Sequence, residues 1–215
     1  GNHPSFCMLA AGNEPAGKNQ ATYLKNFILH YAALDSRRLY TGASVAMSWP
    51  LVPENEYMIK SGARGLDWNN RMPESDSDYH RFIEKFTMPY VTHEQGQWCV
   101  FPDFKEIKKY TGNYRAKNFE MFQEDLEDHH MGNQSKDFLI ASGKLQVLCY
   151  KNEIEKMLRT PGYGGFQALG LQDFPGQGTA LVGVLDAFFQ EKGYVTAAEY
   201  SRFCNSTVPL AKIPK

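Results

Sequence analysis

The chain has 215 residues, with 23 Lys and Arg against 24 Asp and Glu for a formal net charge of −1. A nucleic-acid binder needs a basic footprint to neutralise phosphates, and this balance does not supply one. No run approaches the roughly 18 consecutive apolar residues of a membrane span. Neither nucleic acid nor a membrane is therefore expected as a partner, and 42% hydrophobic residues suffice for a sizeable core.

The chain opens on Gly1-Asn2-His3-Pro4 and enters an apolar run, Phe6 to Ala11, almost at once. Residues 5–11 read as a buried strand ending in the polar mouth Gly12-Asn13-Glu14-Pro15. A domain seldom starts inside a core strand, because that strand becomes a sheet edge. A processed chain or a fragment of a longer one is expected. Residues 20–34 place Leu24, Phe27, Ile28, Tyr31 and Leu34 on one helical face. A short strand is expected at 39–46, a loop at 47–62 with Trp49-Pro50 and Pro53, a weak strand at 63–68 and a short helix at 78–86.

Residues 88–92 form a further apolar strand that runs into His93-Glu94-Gln95-Gly96-Gln97-Trp98. Helices follow at 103–110, 115–130 and 136–158, the last stopped by Pro161 and Gly162. A final strand at 164–172 precedes Asp173-Phe174-Pro175-Gly176, and a closing segment at 179–190 and a helix at 196–203 end the chain. Cys7, Cys99, Cys149 and Cys204 are widely separated and make no CxxC pair; free thiols, most of them buried, are expected.

Strands separated by helices imply a parallel α/β sheet of about five strands, suited to a small doubly wound sheet or to part of an eight-stranded barrel. In both, function sits at the carboxyl ends of the strands. Glu14, Glu94 and Asp173 each follow an apolar strand. Glu14 and Glu94, 80 residues apart, occupy equivalent positions. Two carboxylates converging on one mouth suit glycoside hydrolysis, one protonating the departing oxygen and the other attacking the anomeric carbon or activating water. Such acids equally cap the next helix or pair with Arg38 or Arg64.

Other chemistries find less support. Four residues past His93 stands Gln97, so the zinc-binding HExxH geometry is missing. His129 and His130 are adjacent and diverge on a helix. The glycine-rich stretches lack Gly-Lys-Ser/Thr and GxGxxG, and Ser44 and Ser48 lack a GxSxG setting. Sugar rings stack on flat apolar faces while their hydroxyls need polar partners. Trp98, four residues past Glu94, is the best platform, followed by Trp68 with Asn69 and Asn70, and then Trp49. Each of these also suits ordinary packing. Gln97, Gln172 and Asp173 are candidates for hydroxyl contacts, and Asp173 equally caps the turn at Phe174-Pro175-Gly176.

The run Asn2-His3-Pro4-Ser5, a short apolar strand and then Gly12-Asn13-Glu14 resembles the acid/base motif of glycoside hydrolase family 2. Pro89-Tyr90-Val91-Thr92-His93-Glu94-Gln95-Gly96 resembles that family's nucleophile motif. The resemblance implies a (β/α) TIM-barrel portion, fourth to eighth strand, with the first three barrel strands missing and residues 1–215 forming a single domain of a larger multidomain enzyme. It implies that Glu14 is the acid/base, that Glu94 is the nucleophile and that Asn13 contacts the sugar 2-hydroxyl. The implied activity is retaining hydrolysis of β-linked sugars, with β-galactosides favoured because no Arg/Lys cluster near the motifs argues for a uronate. No metal or organic cofactor is required. A periplasmic or extracellular location follows from the same resemblance. The alternative is a truncated, non-catalytic fragment that binds carbohydrate or is inactive alone. Exposed edges at 5–11 and 164–172 are expected to be covered by a second copy, by swapped elements or by the missing N-terminal barrel half.

Overall fold

The structure is a computed structural model that describes residues 2–42, 44–45, 52–66, 70, 72, 74–178 and 180–212. In chain order the elements are β1 (Met8–Ala10), α1 (Gln20–Leu34), β2 (Leu39–Thr41), β3 (Ser44–Val45), β4 (Met58–Lys60), α2 (His80–Ile83) and β5 (Tyr90–Gln95). There follow α3 (Lys117–Asp128), α4 (Ser135–Leu158), β6 (Tyr163–Ala168) and α5 (Ala197–Ser201), with a 3-10 turn at Phe104–Lys109. The chain divides into two units. One comprises Gly1–Gln95 with Lys156–Gln167, the other Gly96–Glu155 with Ala168–Lys215.

The expected TIM-barrel portion, about five parallel strands alternating with helices, is corrected by the strands that form. They make a two-stranded sheet, β1-β2, and a four-stranded sheet in the order β3-β4-β5-β6. The strand expected at 39–46 is split. β2 pairs in parallel with β1, Met8 opposite Leu39, whereas β3 pairs in parallel with β4, Ser44 opposite Ile59. The break has a local cause. The Gly42 amide donates to the Asn55 side chain at 2.8 Å instead of to a neighbouring strand. A Cβ at Gly42 would lie 3.1 Å from Leu24, so α1 presses directly on the backbone there. The weak strand expected at 63–68 is absent among its described residues, and β4 forms inside the span expected to be loop.

In the first unit β4 and β5 register in parallel, Met58 opposite Tyr90 and Ile59 opposite Val91. The two-residue period of a strand sends these pairs to opposite faces. Met58 and Tyr90 pack with Ala63, Tyr79, Ile83 and Met157, and Ile59 and Val91 pack with Tyr57. Burial on both faces is what parallel strands require. Helix α1 matches its expected span, and its Leu24 and Ile28 pack on Tyr40 and Val52.

The second unit has its own core of Val100, Phe119, Leu139, Leu181 and Tyr194. Around Gln146 its buried polar groups are paired: Tyr194 Oη donates to Gln146 Oε1 at 2.6 Å, and Gln146 Nε2 donates to the Val182 carbonyl at 2.9 Å. Buried polar groups without such partners are costly. Helix α5 begins with a capping box between Thr196 and Glu199. None of the four cysteines forms a disulfide, and against expectation only Cys149 is buried. Among the described residues no helix is long and apolar enough to cross a membrane.

Candidate active site

Glu94 lies inside β5 rather than beyond it, after four buried residues, Tyr90 to His93. Its backbone has φ 51°, the left-handed region that a side chain with a Cβ rarely enters. Glu14, exposed just past β1, has φ 46°. Among the described residues only His130 and Phe189 share this property outside glycine. Such a conformation costs about 1–3 kcal/mol and clusters at functional sites. The two carboxylates singled out by their motifs are therefore also two of four backbone outliers.

The carboxylate of Glu94 is 31% exposed and is flanked on both oxygens. His93 Nε2 stands 3.5 Å from Oε1, and Arg64 Nη1 stands 3.9 Å from Oε2. Arg64 Nη1 also donates to the carbonyls of His93, at 2.5 Å, and of Glu94. On either side of Glu94 the chain buries polar groups. Both ring nitrogens of His93 and both amide atoms of Gln95 lack a hydrogen-bond partner among the described residues. Polar atoms left in that state carry a desolvation penalty that a stability-driven sequence avoids. Among the described residues no three His, Cys, Asp or Glu side chains gather as a metal's donors.

The remaining candidates are dispersed. Asn13 is exposed beside Glu14. Gln97 is exposed and Trp98 half-buried, both in the second unit. The Trp98 ring meets Tyr150 edge-on at 5.2 Å, and its carbonyl accepts from Gln146 Nε2 at 2.8 Å. Gly96, with φ 87°, joins this packing: a Cβ there would lie 2.2 Å from the Tyr150 ring. Asp173 is 3% exposed. Its oxygens accept from Lys192 Nζ at 2.8 and 2.7 Å, and from the Gly183 amide at 3.0 Å. That carboxylate is committed to holding its own unit together. Trp68, Asn69 and Trp49 lie outside the described residues. In the sequence, Arg64 stands out only as a salt-bridge partner for a strand-end acid. Its grip on two carbonyls 29 and 30 residues away leaves no local signal.

No protein-family profile matches the chain, and no curated protein matches it. Among solved structures it is similar to the crystal structure of a GH2 beta-galacturonidase from Eisenbergiella tayi bound to glycerol, with TM-score 0.57 and 14% identity. The fold is GH2-like. The match covers 98% of this chain and 35% of that protein, so the chain spans little more than a third of the length of its structural neighbour. In this GH2-like fold the two motif glutamates fall in different sheets' neighbourhoods, Glu14 after β1 and Glu94 within β5.

Proposed function

We propose that the chain carries the two carboxylates of a retaining β-glycosidase, with Glu94 the nucleophile and Glu14 the acid/base. The observation that supports this most is the shared left-handed backbone at the two motif glutamates, in a fold similar to that of a GH2 glycosidase. A Glu94 oxygen attacks the anomeric carbon while Glu14 gives its proton to the departing glycosidic oxygen. The C–O bond to the leaving group breaks as the ester to Glu94 forms. Glu14, now a carboxylate, then takes a proton from the water that hydrolyses the ester. This sequence needs the two carboxyls roughly 5–5.5 Å apart in the working enzyme.

Asn13, beside Glu14 in the first unit, is the proposed sugar contact. The substrate is proposed to be galacto-configured, a β-galactoside or the corresponding β-galacturonide, the latter being what the structural neighbour's name says of that protein. The test is intact-mass and peptide mapping after incubation with activated 2-deoxy-2-fluoro β-glycosides, both of these sugars included. A label on the peptide containing Glu94, lost in Glu94→Gln, supports the reading and names the sugar. A folded sample that no reagent labels overturns it and leaves a GH2-like fold without this activity.

A further inference from the structure

We propose that Arg64 is a positioning residue for Glu94, a clamp that holds the end of β5 in its left-handed turn; this rests on the reading of Glu94 as nucleophile. The carbonyls of His93 and Glu94 lie beyond the last β4–β5 pair, Lys60 opposite Thr92, and take a donor from outside that pairing. Arg64 supplies that donor. One guanidinium nitrogen, Nη1, bonds the carbonyls of both His93 and Glu94 and stands 3.9 Å from the Glu94 carboxylate. The same group therefore fixes the backbone on which the carboxylate is mounted and attracts the carboxylate itself.

The clamp is itself anchored. Lys60 at the end of β4 is in register with Thr92 of β5. Between Lys60 and Arg64 the chain is tied down at Ala63, whose carbonyl accepts from Thr92 Oγ1 at 3.1 Å and from Tyr163 Oη at 2.7 Å. The Ala63 amide donates to Tyr90 Oη at 3.3 Å, and that hydroxyl donates to the Lys60 carbonyl at 2.9 Å. The stem of Arg64 thus starts from a point fixed to β5 itself. Lysine offers a point charge in place of a planar fork and cannot reproduce this geometry.

The experiment compares wild type, Arg64→Lys and Arg64→Ala in the rate of labelling at Glu94 by the reagent that labels wild type, over a range of reagent concentration. Displacing a reacting group by an ångström costs on the order of a hundredfold in rate. Arg64→Ala is expected to label about a hundredfold more slowly at saturation, with the half-saturating concentration little changed and part of the rate restored by guanidinium at sub-denaturing concentration. Arg64→Lys falls between. Wild-type labelling rates in both variants overturn the proposal, as does a loss in Arg64→Ala that guanidinium leaves untouched while its unfolding midpoint stays at the wild-type value. Should Arg64→Ala fail to fold, Arg64→Lys alone decides, by a slowed or an unchanged rate. Hydrogen exchange at the amides of residues 94–96 reads the clamp without chemistry. Faster exchange there in Arg64→Lys supports it even where wild type is unlabelled, the result that overturns only the catalytic reading; unchanged exchange overturns the clamp.

Discussion

Glu106 is a carboxyl whose charge the fold holds back. It sits in the 3-10 turn Phe104–Lys109, 2% exposed, and its Oε2 has no hydrogen-bond partner among the described residues. Burial pushes its pKa up to about 7, helped by the negative charges of Asp173 and Asp186 and opposed by Lys192 and Lys109. An ordinary glutamate releases its proton near 4.5. Between those values the folded chain keeps a proton that the unfolded chain has lost. Glu106 therefore lowers stability progressively as pH rises through that window, and the loss levels off above about 7. Glu106→Gln, which cannot ionise, is expected to gain on wild type as pH rises across the window. Urea midpoints at pH 5 and pH 8 check this; an equal difference at both pH values refutes it. No sequence pattern marks this residue. Asp173 was visible as an acid after an apolar run, but its partner Lys192 stands 19 residues on and was not.

At the scale of elements, β4 shows what a linear reading misses. Met58-Ile59-Lys60 is three residues long, preceded by Pro53, Glu54 and Glu56, and it offers neither alternation nor an apolar run to recognise. It is a strand because β3 and β5 pair with it on either side and its two faces enter separate clusters, all of which are non-local facts. α1 and α4 lie close to their expected spans because proline-free runs of 15 and 24 residues, the second stopped by Pro161 and Gly162, are local signals. The site divides in the same way. The motifs mark Glu14 and Glu94, but the bonds from Arg64 to the carbonyls of His93 and Glu94 join residues 29 and 30 apart in sequence. Ile59, fully buried, is the sharpest test of the element. Ile59→Ala removes its contacts with Tyr57 and Val91 and is expected to cost about 2–5 kcal/mol, read as a lowered denaturant midpoint at unchanged slope. A cost within about 0.5 kcal/mol, the range of an ordinary surface substitution, would mean that β4 is not the buried strand described.

At the scale of the molecule, the first unit is discontinuous, and residues 156–167 return to complete it between the two segments of the second. The returning segment fills the core: Met157, Tyr163 and Phe166 pack against the cluster of Met58, Tyr79 and Tyr90. It also satisfies backbone groups, since Thr160 Oγ1 accepts the Tyr79 amide at 2.9 Å and Arg159 Nη2 donates to the Ser77 carbonyl at 3.3 Å. β6 lies beside β5, so its removal would expose the edge of the strand that carries Glu94. A chain ending at residue 95 holds both motif glutamates yet lacks these contacts. It is expected to unfold without a cooperative transition and to take no label at Glu94. A peptide of residues 156–167 added in trans is expected to sharpen the transition, because it restores the Tyr79 and Ala63 hydrogen bonds together with the apolar contacts. Cooperative unfolding of the 1–95 chain by itself, followed by circular dichroism in urea, would show that the returning segment decorates a unit already complete. The site would then depend on the first 95 residues alone.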